Sequence, residues 1–295
     1  MNCRFAVILL LFLAGCATPR EHPVAQAPLA ALLPADALLV GEQHDAAEHH
    51  RLERALVETL AARGQLAALV LEMADAGQST ASLTRGADEA DVRTALAWND
   101  AAWPWLSYGP AVMAAVRAGV PVLGGNLPRE RMRAVMADAQ LDTRLAPAAL
   151  QAQQQAIRDG HCGLLPESQI APMTRIQIAR DIRMAHALER ARLPGKTVVL
   201  LAGGGHVLRD RGVPVHLAPD VSARVLLLQA GSAPQAAPAV VLSEVDFETL
   251  DERTVRKLFV GATRATMKLA IVASARVSAS WTRSKQAQAS CSIRS

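Results

Sequence analysis

The chain has 295 residues, 51% of them hydrophobic, with a formal net charge of +4 and four cysteines. That length and apolar content exclude a disordered polypeptide and suit one large domain, or a domain with an appendage, while so few cysteines exclude a disulfide framework. The basic balance belongs to one end only: residues 251–295 carry nine Lys/Arg against two acids, or +7, which leaves −3 for everything before them.

In chain order, the first element is a targeting segment. Arg4 precedes nine apolar residues, Phe5 to Leu13, about half of the roughly 20 needed to span a bilayer as a helix. The sequence Leu13-Ala14-Gly15-Cys16 that closes the run resembles the bacterial lipobox. This implies a signal peptide over residues 1–15, cleavage before Cys16, and lipidation of Cys16 as a membrane anchor in the cell envelope. Ala17 after the cysteine, in place of aspartate, implies sorting to the outer membrane. Residues 16–33, rich in Ala and Pro, read as a tether. Cys3 leaves with the signal, so Cys162 and Cys291 are the cysteines left to pair.

Residues 34–231 hold five short apolar runs: Ala37 to Val40, Leu69 to Leu71, Val120 to Leu123, Val198 to Leu201 and Val225 to Leu228. Continuous apolar runs separated by helical patterns predict an α/β fold with an open, mainly parallel sheet flanked by helices and buried on both faces. The first helix is expected from an Asp45 N-cap with Glu48 completing a capping box, carried on by Leu52, Leu56 and Leu60 up to Gly64. Asp75 to Asp100 and Glu130 to Arg192 read as mostly helical, forming a smaller helical subdomain.

Four of these strands are followed at their carboxyl ends by residues suited to chemistry. Glu42 and His44 follow the first, Glu72 the second, Asn126 and Arg129 the third, and His206 the fourth. Open parallel sheets bind ligands beyond the carboxyl ends of their strands, so the coincidence predicts one shared crevice. His44 directly precedes the expected N-cap, where the helix dipole would lower its pKa and favour a neutral, metal-binding imidazole. Gly203 to Gly205 would let backbone approach a ligand, or form an anion-binding turn. This is not a phosphate loop, because Gly195-Lys196-Thr197 lacks the earlier glycine of a Walker motif, whose place Arg190 takes. At most one of His49 and His50 can face the crevice, and a solvated pair is the plainer expectation.

A second constellation is Trp98, Trp103, Trp105 and Tyr108, next to Gly109-Pro110, in a chain with four tryptophans and one tyrosine. Aromatic clusters are usually core, but crowding beside a turn also suits a flat apolar ligand. A phenolate is a hard anionic donor that suits ferric haem. Covalent attachment of haem is excluded, since no Cys-x-x-Cys-His occurs.

Together, Val40-Gly41-Glu42-Gln43-His44-Asp45, the Trp-rich stretch ending Tyr108-Gly109-Pro110, Gly125 to Arg129, Gly160 to Pro166, Arg180 to Ala185 and Ala202 to Val207 resemble the ChaN-like haem-binding lipoproteins of the Tiki superfamily. The resemblance implies non-covalent binding of haem b through Tyr108 as a tyrosinate ligand, with Trp103 and Trp105 beside it. It also implies a homodimer around haem, a role in iron uptake and an outer-membrane haem receptor as partner, hence a binding protein ahead of an enzyme. The superfamily also contains metal-dependent peptidases, whose Gly-x-x-His motif resembles Gly41 to His44. The rival expectation is therefore a hydrolase holding a divalent ion with Glu42, His44, Glu72 and His206.

Residues 232–238 read as a Ser/Pro/Ala/Gln linker. Within residues 239–276, the stretch Leu250 to Leu269 resembles the last motif of superfamily 1 helicases, with Arg264 at the position that contacts ATP phosphate. No Walker lysine accompanies it, so no ATPase activity is implied, and no nucleic-acid partner is expected. Residues 277–295, dominated by Ser, Arg, Lys and Gln, are expected to be disordered.

Overall fold

The computed structural model describes residues 32–229 and the strand 239–242. The expected signal segment, Cys16, nearly all of the tether, the linker, the helicase-like motif and the tail lie outside the described residues. Each apolar run becomes a strand: β1 (Ala37–Glu42), β2 (Leu66–Asp75), β3 (Val122–Asn126), β4 (Thr197–Gly203) and β5 (Ala223–Gln229). They form one sheet in the order β3-β2-β4-β1-β5, all parallel. A strand from beyond residues 232–238, β6 (Ala239–Leu242), adds antiparallel to β5. The parallel ladder is the expected consequence of runs that are apolar on both faces.

Alternate residues of these strands pack against different layers. Leu38, Val40, Leu69, Leu71, Val199 and Leu201 meet helices α1 (Ala47–Ala62) and α3 (Trp105–Arg117) on one face. On the other face Leu39, Val70, Val198 and Leu200 meet Met184, Ala185 and Leu188 of the long helix α6 (Glu167–Arg190). Burying each such large side chain is worth roughly 1.5–3 kcal/mol, so the two layers fix the sheet firmly. The expected helical subdomain forms from α4 (Met132–Ala137), a 3-10 segment (Ala139–Arg144) and α5 (Pro147–Gly160), held on α6 through Leu127, Leu145, Ile176 and Ile178. Among the described residues, no helix is long and apolar enough to cross a membrane.

Two local expectations are corrected. Helix α1 begins one residue later than the capping box predicts, with Ala46 at the N-cap and no side-chain cap. The Gln43 N–H, at the entry to the helix, donates instead to His49 Nδ1 at 3.0 Å. The segment from Asp75 to Asp100 is mostly loop and contains one short helix, α2 (Glu89–Ala95), which Asp88 caps through the Asp91 N–H. Its glycines and polar residues give few apolar positions at helical spacing, and Thr80 Oγ1 is spent accepting the Val122 N–H.

The β2–β3 register shifts between Leu71 and Asp75, which brings Gly124 against the Asp75 main chain. A Cβ there would fall on the Asp75 carbonyl. Gly124→Ala should therefore cost about 1–3 kcal/mol, as overpacking does, and lower the melting temperature by several degrees. A melting curve followed by circular dichroism that does not move would show that the two strands have slack at this point.

Candidate functional site

Parallel pairing sets the strand ends side by side: Glu42 of β1 lies opposite Gly203 of β4, and β2 carries Glu72 alongside. The Gly203 N–H donates to Glu72 Oε2 at 2.7 Å. A Cβ on Gly203 would stand 2.8 Å from His44 Nε2, so the glycine is needed for the approach of His44 rather than of a ligand. Two polar groups result, one around Glu42 and one around Glu72.

Glu42 is the hub of the first group. Its Oε1 accepts the Tyr108 hydroxyl at 2.9 Å and lies 2.8 Å from His44 Nδ1. Its Oε2 lies 3.2 Å from His50 Nε2. Glu53 of α1 is 1% exposed and sits against the same carboxylate. Burial raises the pKa of Glu42, but the nearby imidazoles of His44 and His50 and the hydroxyl of Tyr108 outweigh this and hold it at about 2. Glu53 behaves oppositely: burial and the charge of Glu42 push its carboxyl well above the usual range. Burial and the same negative charges push the Tyr108 phenol far above its ordinary value.

The second group is a chain of three. His206 Nε2 lies 3.2 Å from Glu72 Oε1, and His206 Nδ1 lies 2.6 Å from Asp181 Oδ1. Burial would lower the His206 pKa, but the two carboxylates raise it to about 10. Burial likewise raises Glu72, yet His206, His44 and the Gly203 N–H bring it down to about 2, while burial keeps Asp181 at about 6. His44 joins the groups, its Nε2 being 3.9 Å from Glu72 Oε2. It stands at the mouth, with its side chain 40% exposed and Trp103 edge-on at 4.9 Å between ring centroids.

The structure thus brings Glu42, His44, Glu72, His206 and Tyr108 into one cluster at the carboxyl ends of the strands, buried except at His44. Trp103 lies at its mouth, whereas Trp105 is turned into the core, its indole N–H donating to Glu89 at 2.9 Å. Trp98 and Tyr108 also belong to this core layer, so the aromatic crowd beside the turn is chiefly packing. Asn126 spends its Oδ1 on the Leu127 N–H and Arg129 is exposed; among the described residues, no hydrogen bond or ion pair draws either into the group.

Three further expectations are corrected. His49 and His50 are not a solvated pair, since His49 is fully buried and His50 faces Glu42. The His44 pKa is not lowered: burial acts in that direction, but the hydrogen bond with Glu42 and the charges of Glu72 and Glu42 raise it. The Gly203 N–H is committed to a protein carboxylate and not to an external anion.

Sequence reasoning missed His50, Glu53 and Asp181. A signal existed for the two acids. Glu53 interrupts the buried stripe His49, Leu56, Leu60 of α1, and Asp181 interrupts Ile178, Met184, Ala185, Leu188 of α6. A charge on an apolar stripe needs a buried partner.

Residues 29–217 match the family described as haem-binding uptake, Tiki superfamily, ChaN. The chain belongs to that family. In fold, this ChaN-family chain is similar to the solved structure titled cofacial heme binding to ChaN of Campylobacter jejuni, with 23% identity and a TM-score of 0.57 over 71% of this chain and 88% of that one. The type III effector HopBA1 is 17% identical over 70% of this chain and 82% of its own, with a TM-score of 0.39. RRSP, a MARTX toxin effector domain from Vibrio vulnificus CMCP6, is 11% identical over 81% and 41%, with a TM-score of 0.44. No curated protein matches the chain significantly.

The buried ion pairs set a pH window. His206 is raised from its ordinary 6.5 to about 10, so its contribution is complete below about pH 6.5 and is lost as pH rises through about 10. Glu72 is lowered from 4.5 to about 2, so its share persists above pH 4.5 and goes only as pH falls through about 2. Melting temperatures measured from pH 6 to 11 should fall on the alkaline side in the native chain. His206→Gln should be less stable at pH 7 by the roughly 3–5 kcal/mol that an orphaned buried charge costs, melting correspondingly lower and with a flatter alkaline limb. Parallel pH profiles for the two proteins would show that His206 is not the titrating group.

Proposed function

We propose that this chain is a lipid-anchored haem-binding protein of iron uptake, holding haem non-covalently at the mouth formed by His44 and Trp103 with Tyr108 as the iron ligand. The observation that carries this reading is the pairing of a phenol and an imidazole, Tyr108 hydroxyl to His44 Nδ1 at 3.4 Å, beneath an indole in a member of a haem-binding family. The donor set suits ferric haem: tyrosinate is hard and anionic, and the indole offers an apolar face to a macrocycle. Access is the constraint, because Tyr108 is 1% exposed. His44 is its exposed neighbour and the group that must swing aside. As an iron ligand Tyr108 would have to lose to solvent the proton it now donates to Glu42, a loss that the positive charge of ferric haem would favour, since Glu42, held at about 2, is too weak a base to keep it. Bound haem would supply the ferric centre and a flat apolar surface, which a homodimer can bury against a second copy. Cys16 would carry the lipid, placing the protein on the outer membrane within reach of a haem receptor.

Hydrolysis is the second reading, favoured by one observation. His44 is exposed and its Nδ1 is held by Glu42 at 2.8 Å, as a general base is held by an orienting carboxylate. The ion set expected from the sequence is weakened at His206, because both its ring nitrogens face carboxylates and a protonated imidazole has no lone pair to give.

Hemin added to the full-length chain should give a saturable Soret shift, and Tyr108→Phe should weaken it by about tenfold or more. An undiminished shift in Tyr108→Phe would remove the phenolate from the iron. Peptide cleavage stimulated by Zn²⁺ or Mn²⁺ and abolished by His44→Ala would instead put hydrolysis first. The anchor is tested separately: Cys16→Ser should accumulate as unprocessed precursor that takes up no labelled palmitate, and normal labelling would refute the lipidation.

A further inference from the structure

The unpartnered atoms of the Glu42 group converge. Glu42 Oε2, His50 Nε2 and Glu53 Oε1 are each buried without a satisfactory hydrogen bond. One donor atom from each of these three residues lies within 4.8 Å of the others. Buried polar atoms without a hydrogen bond are costly, and an occupant shared by all three would satisfy them together. We propose that Glu42, His50 and Glu53 form a binding site for a divalent transition cation, distinct from the haem position at the mouth.

The arrangement supports this in four ways. Oxygen and nitrogen ligands stand about 2.0–2.2 Å from such an ion, which puts neighbouring ligand atoms about 3.0–3.4 Å apart, and His50 Nε2 and Glu42 Oε2 are 3.2 Å apart. Glu53 is 1% exposed and reaches the cluster from α1, one turn after His50, so the two project from one helix face toward the end of β1. The ligand set, one imidazole and two carboxylates, suits Zn²⁺ or Mn²⁺. The Tyr108 ring packs at 4.8 Å from the His50 ring and its hydroxyl binds the other oxygen of Glu42, which fixes the carboxylate as an outer partner does in metal sites. His206 takes no part, being occupied by Glu72 and Asp181.

The test is a calorimetric titration of the full-length chain, stripped with chelator and free of haem, with Zn²⁺ and with Mn²⁺ separately. One equivalent of at least one ion should bind, and should raise the melting temperature. Glu53→Gln and His50→Gln, each checked for native circular dichroism, should weaken binding by about tenfold or more, whereas His161→Gln, at the end of α5 and outside the group, should leave it within about threefold. If one of the two does not fold, the other carries the comparison. The proposal is overturned if neither ion binds saturably, if Glu53→Gln and His50→Gln keep native affinity, or if His161→Gln weakens binding as much as they do. Because haem is absent throughout, the result stands apart from the Soret titration.

Discussion

The buried carboxylate of Glu42 is the constraint on which the site depends. It ends β1, the strand between β4 and β5, and a charge there must be balanced inside the protein. Tyr108 from α3, His50 and Glu53 from α1, and His44 from the connecting turn all take their places around it. The helices that cover one face of the sheet are therefore tied to its carboxyl edge by polar contacts as well as by the core. This gives the mouth a firmly packed back wall, with His44 as its exposed member.

The Glu72–His206–Asp181 chain does the same for the other face. Asp181 comes from α6, so His206 joins the second helical layer to the fourth strand. Breaking one member leaves a charge with no water to screen it, which makes such a chain a stringent device for fixing one arrangement. The crevice thus opens where two independently braced layers meet, which explains how it can hold several ionisable groups without collapsing.

The fold was largely legible in the sequence because its signal is periodic. All five parallel strands were marked by apolar runs, and Glu42, His44, Glu72 and His206 were placed together by the rule that ligands sit beyond strand ends. What failed was local and directional. Trp105 and Trp103 are two residues apart, yet one is core and the other is mouth, a difference set by the helix that begins at Trp105. Asn126 and Arg129 follow a strand as the others do, but Asn126 turns back to its own chain. His44 looked neutral from its place before a helix, but Glu42, two residues back at the end of β1, and Glu72, from β2, raise its pKa. The Glu72 contact is long-range and leaves no mark in neighbouring sequence.

Charge compensation gives the last link between structure and function. Burial favours the neutral forms of Glu53 and Tyr108, while Glu42 and Glu72 remain charged because histidines and hydrogen bonds hold them so. Around Glu42 the groups available for further ionisation, Tyr108 and Glu53, are both acids. Adding positive charge there is therefore favourable, since it allows either acid to release its proton without adding to the repulsion. Ferric haem at Tyr108 and a divalent ion at Glu53 would act through the same carboxylate. Occupation of one site must then alter affinity at the other, by an amount that is reciprocal as linkage requires.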